Sequence, residues 1–343
     1  MFGIDRHALQ VTWTVFLFVL ALGLVYLVRD TLVVFALSLF FAYLLSPLVD
    51  FLESRFSARL SRPMVLAVVY VAVLGVVISA LIPLGARIGE EAAALAGRLP
   101  DAIDQQDPLS RLPLPGWLEV IRPRLAEVVH SRVEELGRDV LPMLSRAGSR
   151  ILSGIGNVLS LILIPILGFF FLKDGREIRN AIIQRAPPYR QVLVLDILTG
   201  LHLLLASYIR ALVILGVATL ISHSLFLTAM GVPYALLLGG MAAMLEVIPV
   251  LGPLTAGAVI LLVAVLTGYL HVLWILVFLV VYRVFQDYVL NPYLMGAGVE
   301  IHPLLVLFGV LAGEQIAGIP GMFFSVPIIA ALRVVVIRMR STP

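Results

Sequence analysis

The chain contains no cysteine, which excludes disulfide bonds and thiolate chemistry from its 343 residues. Charged residues are also scarce: they make up 13% of the chain, about half of what soluble domains carry. Hydrophobic residues make up 61%. The net charge of +3 is small and spread along the chain, without the basic stripe that nucleic-acid binding requires. This composition predicts an integral membrane protein that binds no nucleic acid.

Signatures of enzymatic chemistry are missing as well. The sequence has no glycine-rich phosphate loop and no nucleophile elbow. The serines and histidines that could serve such chemistry are scattered, without the spacing of a catalytic or ligand set: Ser207, Ser222, Ser224, His202, His223, His271 and His302. We therefore predict that the chain is not an enzyme, holds no metal and needs no cofactor.

Apolar windows long enough to cross a hydrocarbon core of about 30 Å recur along the chain. Continuous windows lie at 9–28, 32–52, 64–86, 151–172, 209–230 and 270–291. No small-residue cleavage site follows the first window, so we predict a retained helix rather than a signal peptide. Two further stretches, 234–267 and 303–337, are interrupted in the middle. The sequence thus predicts an all-α, polytopic helical membrane protein with about eight membrane segments.

The two interrupted stretches each carry a glutamate beside residues that break helices. Two prolines remove amide donors and Gly252 allows a positive φ, so helix cannot continue through the first stretch. Each half of the first stretch is about 13 residues, too short to cross the membrane upright, which favours a re-entrant hairpin. Non-helical backbone at membrane depth is stable only where protein buries it or where it lines a cavity, as it does in transport sites. The predicted breaks are at Pro249, Gly252 and Pro253, and at Gly313, Gly318, Pro320 and Gly321.

Arginine clusters follow the second and fourth windows and close the chain. Because basic residues concentrate on the cytoplasmic side, both termini are predicted to be cytoplasmic, and each interrupted stretch must return to its side of entry. Residues 1–86 then form a three-span region and 151–343 a transport core. Between them, 87–150 is predicted to be an extracytoplasmic insertion, with a turn at Pro100 and an amphipathic helix over 118–144. The segment 189–207 either lies at the interface or extends the fifth span inward.

Glu246 is the first candidate site residue, because a carboxylate inside an apolar segment is costly and usually marks function. At the end of a half-helix it meets the negative end of the helix dipole, which favours proton exchange near neutral pH. Carbonyls freed by Pro249 could instead coordinate Na⁺. The alternative is a structural glutamate that bonds the amides of its own turn. Glu314, the carboxylate of the second stretch, has the same two interpretations: site or structure.

Three polar residues of the window 270–291 form the second candidate. Arg283, Asp287 and Asn291 recur every four residues and therefore share one helix face. An Arg–Asp pair is tolerated in lipid because the charges neutralise each other. The trio is either an ion pair that locks the helix in place or a relay whose pairing switches during transport.

Several motifs, in order and spacing, resemble the autoinducer-2 exporter (AI-2E) family of bacterial membrane proteins. Their order is FFFLKDG at 169–175, YIR at 208–210, GVPY at 231–234, EVIPVLGP at 246–253, DYVLNP at 287–292, HPLLV from 302 and VP at 326–327. The resemblance covers roughly residues 10–338. The chain departs from the family at Ala211 and Leu212, where Gly-Gln is common, and at Glu314, where many members have glycine.

This resemblance implies a multi-span protein of the bacterial inner membrane with cytoplasmic termini, assembled as a homo-oligomer such as a pentamer. It implies two kinds of cargo: a furanone-type quorum signal that is exported, or Na⁺ (Li⁺) exchanged for H⁺. The expected function is a secondary transporter that exports a small polar solute with H⁺ or Na⁺ coupling. The alternatives are an Na⁺(Li⁺)/H⁺ antiporter, a passive oligomeric channel, and a scaffold that would tolerate loss of both glutamates.

Overall fold

The computed structural model describes residues 6–56, 61–104, 123–124, 127, 158–295 and 301–340. Within these ranges the chain forms helices and turns and contains no strand. A 3₁₀ turn (Pro188–Arg190) precedes the fifth helix, and a π-helical turn (Gln286–Leu290) joins the eighth to the ninth. The helices are α1 (Arg6–Leu27), α2 (Arg29–Phe56), α3 (Arg62–Asp104), α4 (Val158–Arg185), α5 (Gln191–Ala229), α6 (Ala235–Leu245), α7 (Leu251–Leu266), α8 (Val272–Phe285), α9 (Asn291–Met295) and α10 (Pro303–Arg340).

Within the described ranges, six helical segments are long and apolar enough to cross a membrane: α1, α2, α3, α5, the continuous α8–α9 segment (the α8–α9 rod) and α10. The helices α6 and α7 are apolar but shorter, with 11 and 16 residues. The predicted window 151–172 is described only from residue 158, where α4 begins. The prediction of an all-α, polytopic membrane protein is confirmed.

Two helices extend beyond the predicted windows. Helix α3 continues past residue 86, through Pro100, to Asp104. Its second half is rich in Ala, Leu and Glu, which favour helix, and it packs on α6. The rest of the predicted insertion, including the amphipathic helix over 118–144, lies outside the described residues apart from 123–124 and 127. Helix α5 begins at Gln191, so most of 189–207 extends the fifth span rather than forming a separate interfacial segment.

Two apolar clusters hold the helices together, and α3 contributes to both. The first joins α2, α3 and α4 around Leu45, Val49 and Leu66, with the Tyr70 hydroxyl donating to the Pro165 carbonyl at 3.1 Å. The second joins α5, α6, α7 and α8, and Leu95 of α3 packs into it. With 43 residues, α3 is a rod of about 65 Å. It therefore ties the N-terminal helices to the first interrupted stretch.

The first interrupted stretch forms a hairpin of α6 and α7. At its tip the Leu251 amide donates to the Pro249 carbonyl at 2.7 Å across Val250, whose φ is 65° and ψ −56°. This is a γ-turn, a strained conformation for a β-branched residue. Although Gly252 would allow a positive φ, the positive φ of this tip occurs at Val250. Glycine is required at 252 for another reason: a Cβ there would clash with the Leu245 carbonyl oxygen.

The second interrupted stretch is also a hairpin, because α10 breaks at Ala317 (φ −142°) and Gly318 (φ 62°, ψ −140°). On either side of the break Gly313 and Gly321 touch, and a Cβ on either would clash with the carbonyl of the other. One helical turn further from the tip, Gly309 packs against Ser325 and Ile329. The two halves of α10 therefore fold back on each other as antiparallel helices.

Both hairpin tips reach the same level of α5. The trailing half of α10 runs antiparallel to α5, with Arg338 bonded to Asp196 at 3.0 Å and Val334 packed on Gly200. Extending this register places the break of the second hairpin about level with residue 216. The first hairpin, from the opposite end of α5, brings the Ala243 carbonyl against Gly216. The two hairpin tips thus approach the same level of α5, near Gly216, from opposite ends of that helix.

We expect Gly252→Ala to destabilise the protein by about 1–3 kcal/mol, because overpacking against a backbone carbonyl forces the hairpin tip apart. The measurement is the thermal unfolding midpoint of the purified protein in detergent. The matched control is Gly89→Ala in α3, where a Cβ meets nothing within 4 Å. Equal midpoints for the two variants would contradict the close approach at the tip.

Candidate functional site

The carboxylate of Glu246 lies at the tip of the first hairpin, directly after α6 ends. The residue is only 9% exposed. Its Oε1 accepts a hydrogen bond from the Gln286 amide of the π-helical turn, and its Oε2 accepts one from the Thr219 hydroxyl of α5 at 3.2 Å. In the part of the chain that the structure describes, the carboxylate is thus bonded by side chains of two other helical elements and not by the amides of its own turn. The carboxylate joins three elements.

A chain of hydroxyl groups continues from the carboxylate. The Thr219 Oγ1 lies 3.0 Å from the Tyr282 hydroxyl of α8. A threonine hydroxyl carries one proton, so when Thr219 donates to an ionised Glu246, Tyr282 must donate to Thr219. If Glu246 is protonated on Oε2, both hydroxyls can rotate and the direction of donation reverses. The same heavy-atom positions therefore satisfy both protonation states.

His223 supports this chain from one helical turn further along α5. Its Nδ1 lies 3.0 Å from the Thr219 carbonyl, so Nδ1 carries the donated proton. The imidazole packs edge-on against Tyr282 and Phe278, with ring centroids 4.8 and 5.1 Å apart. The polar side chains around Glu246 are all buried: Thr219, His223, Tyr282 and Gln286. The network is thus closed off from the surface of the single chain.

The polar residues of the α8–α9 rod lie on two faces around the π-helical turn. Gln286 points to Glu246, whereas Arg283 and Asp287 form an ion pair on the neighbouring face, Nε to Oδ2 at 2.8 Å. Asn291 donates to the other oxygen of Asp287 at 3.3 Å. The side chains of the pair are 39% and 38% exposed. The predicted trio is therefore contiguous, and it flanks the buried site rather than lying inside it.

The charges of this trio still act on the buried site. The positive charge of Arg283 attracts the carboxylate of Glu246, and the negative charge of Asp287 repels it. Single-turn π bulges occur frequently at functional sites, because the extra residue re-aims the side chains that follow it. Here the turn lets one helix present an amide to the hairpin and an ion pair to the adjacent surface.

Glu314 is not part of this arrangement. It lies on the leading half of the second hairpin and is exposed on the surface of the single chain. The structure therefore places the two predicted carboxylates in separate environments, one buried and bonded and one exposed. Among the described residues, no group of three His, Asp or Glu side chains could hold a metal ion.

Thr219, Tyr282 and Gln286 are site residues that the sequence patterns did not identify, and His223 was named only among scattered histidines. A signal for them exists in the sequence. Thr219 and His223, and likewise Tyr282 and Gln286, are four residues apart within apolar helices, so each pair shares a face. What the sequence lacks is the packing of α5 against α8 that brings both faces to Glu246.

Fold and site together define a class: a polytopic helical membrane protein in which two broken-helix hairpins approach one level of a shared helix from opposite ends, with a buried carboxylate at one tip. Within this class, the chain matches the family described as AI-2E family transporter over residues 15–341 and belongs to that family. The family comprises transport proteins, so the predicted resemblance and the general function of transport are confirmed.

Curated relatives agree with this membership. The chain is 28% identical to “Putative transport protein YrrI” of Bacillus subtilis (strain 168), over 89% of this chain and 86% of that protein. It is 25% identical to “Putative transport protein YueF” of the same organism, over 88% of this chain and 84% of that protein. It is also 24% identical to “Putative permease PerM” of Escherichia coli (strain K12), over 62% of this chain and 60% of that protein.

We expect Thr219→Val to destabilise the protein by about 1–3 kcal/mol, because it leaves one oxygen of Glu246 and the Tyr282 hydroxyl without their buried partner. Thermal unfolding in detergent measures the change. The control is Thr255→Val: Thr255 is exposed on α7 and bonds only its own helix, at the Leu251 carbonyl. If both variants unfold at the same temperature, the Thr219 bond contributes nothing to stability.

Proposed function

We propose that this chain is a secondary transporter that moves a small polar solute with H⁺ coupling, and that Glu246 takes up and releases the coupling proton. One observation carries the proposal: the Glu246 carboxylate is buried at the tip of a re-entrant hairpin and bonded to a reversible hydroxyl chain. A carboxylate inside the membrane is a functional feature by default. The hydroxyl groups can hydrogen-bond Glu246 with or without its proton. The site can therefore change charge while its heavy atoms stay in place.

The hairpin offers a means of coupling this charge change to movement. The carboxylate is held by α5 and the π-helical turn, so neutralising it weakens the charge-assisted bonds between the tip and both neighbours. The tip itself is joined through a short strained turn rather than through continuous helix. Proton uptake is thus expected to favour displacement of the tip, which alternating access requires.

The position of the second hairpin supports the same proposal. Its break is level with the first tip along α5, and it enters from the other end of that helix. Broken helices of this kind can supply helix-end carbonyls and amides as partners for a polar solute. We place the solute path along this part of α5, with Gly252, Pro253, Gly313, Gly318, Pro320 and Gly321 forming the deformable tips and Glu314 beside the second one.

For the setting, we propose the bacterial inner membrane with both termini in the cytoplasm, since arginines cluster at the ends that this orientation places inside. The first hairpin then enters from outside and the second from inside. We further propose export of a solute of the autoinducer-2 type by a homo-oligomer such as a pentamer. The support for this direction and cargo is the chain's membership of the AI-2E family, whose resemblance implies export of such a signal.

Exchange of Na⁺ or Li⁺ for H⁺ is the second candidate, and the donor set at Glu246 favours it. The site offers the two carboxylate oxygens, the Thr219 hydroxyl and the Tyr282 hydroxyl within one hydrogen-bonded group. Oxygen donors of this kind suit hard cations. In this version a monovalent cation and a proton compete for the same carboxylate.

We expect Glu246→Gln to abolish the pH dependence of transport, because glutamine keeps the shape of the side chain but cannot exchange a proton. The measurement is solute counterflow in proteoliposomes across external pH, comparing the furanone signal, Na⁺ and Li⁺. Glu177→Gln on the exposed face of α4 is the matched control. An unchanged pH profile would falsify the role of Glu246, and flux that does not saturate would instead indicate a passive channel.

We expect Asp287→Asn to reduce transport at least tenfold, since it leaves Arg283 without its counter-charge at membrane depth. The double variant Arg283→Gln/Asp287→Asn separates two roles of the pair. If the pairing switches during transport, the double variant stays inactive in the counterflow assay although it folds. If the double variant transports like the wild type, the two charges serve only to neutralise each other and do not switch partners.

A further inference from the structure

The outer end of the first hairpin is held by a residue from a distant part of the chain. The carboxylate of Glu91 in α3 accepts a hydrogen bond from the Leu237 amide of α6 at 2.8 Å. Leu237 is the third residue of α6, and its amide is one of the donors that a helix cannot satisfy internally. The residue that precedes α6, Tyr234, has a left-handed backbone and makes no side-chain cap. Glu91 thus serves as the cap from outside the helix.

The neighbouring contacts show that α3 and α6 fit closely. The side chain of Ile88 packs on Gly240, where a Cβ would lie 3.0 Å from it. Leu95, one turn beyond Glu91, is 5% exposed and packs in the cluster that contains Leu237 and Leu238. The negative charge of Glu91 also suits the positive end of the α6 dipole. The contact is therefore built from a charge, a hydrogen bond and apolar packing.

We propose that Glu91 is a positioning residue for Glu246, which acts by fixing the depth of the first hairpin in the membrane. Glu91 bonds the first turn of α6 and Glu246 follows its last residue, so the two act on opposite ends of one helix of 11 residues, about 16 Å long. A displacement of its capped end by a fraction of a turn moves the Glu246 carboxylate out of reach of Thr219 and Gln286, because hydrogen bonds weaken steeply beyond about 3.2 Å. The inference rests on the proposed role of Glu246 in coupling.

This role explains why α3 continues past the membrane-length window. Its inner half packs with α2 and α4, and its outer half carries Ile88, Glu91 and Leu95 to the hairpin. Helix α3 therefore fixes the position of the first hairpin relative to the N-terminal helices, in addition to its contacts with α5 and α8. Movement of the hairpin relative to α3 requires release of the Leu237 amide from Glu91.

The test compares three variants of the full chain: Glu91→Ala, which removes the acceptor; Glu91→Gln, which keeps an acceptor oxygen; and Glu90→Ala, which alters the exposed adjacent glutamate. Two readouts are taken. Hydrogen–deuterium exchange over residues 235–245 reports how firmly the first turn of α6 is capped. The pH profile of counterflow reports the proton affinity of Glu246, which depends on its position.

We expect Glu91→Ala to speed exchange in α6 and to shift the apparent proton affinity of transport about fivefold, the size of effect of one helix cap. Glu91→Gln should restore most of both properties, and Glu90→Ala should match the wild type. Unchanged exchange in Glu91→Ala overturns the cap. Faster exchange with an unshifted pH profile overturns the positioning role. Failure of the proposed function is detected by a separate result: the pH profile of transport would then be the same in Glu246→Gln as in the wild type.

Discussion

A carboxylate buried at the tip of a membrane hairpin is stable only if other helices supply its hydrogen-bond partners, and this requirement organises the structure around Glu246. Water is scarce at that depth, and each unsatisfied polar group there costs several kcal/mol. The partners come from α5, through Thr219, and from the π-helical turn, through Gln286. These bonds fix where α5, the hairpin and the α8–α9 rod meet. His223 and Tyr282 then complete the network on the same seam.

Helix α5 contacts both of the hairpins that we propose to move during transport. Both hairpins lie along it from opposite ends, and their tips stop at the same level. A hairpin is the arrangement that lets a helix break at this depth, since each half covers the exposed backbone of the other. In the second hairpin Gly313 and Gly321 permit that contact, whereas in the first Gly252 lets the backbone pass Leu245.

The architecture could be predicted from sequence because apolar length, proline and glycine act locally. The spans, both interruptions, the Arg283–Asp287–Asn291 face and the family resemblance all follow from residues close together in the chain. The partners of Glu246 could not, since Thr219 and Gln286 are 27 and 40 residues away from it. The cap from Glu91 is 146 residues away from Leu237. The end of α3 was misjudged because Pro100 suggested a turn, while packing on α6 and good helix formers sustain the helix.

Val250 has a consequence for the speed of the hairpin. A β-branched residue in a γ-turn holds strain of about 1–3 kcal/mol, which corresponds to a factor of roughly five to more than a hundred in a rate. If the turn relaxes on the way to a displaced tip, that strain lowers the barrier to leaving the position seen here. The Val250 side chain takes no part in the hydrogen-bonded network around Glu246. In the proposed cycle we therefore expect residue 250 to govern the rate of hairpin movement and Glu246 to govern the proton chemistry.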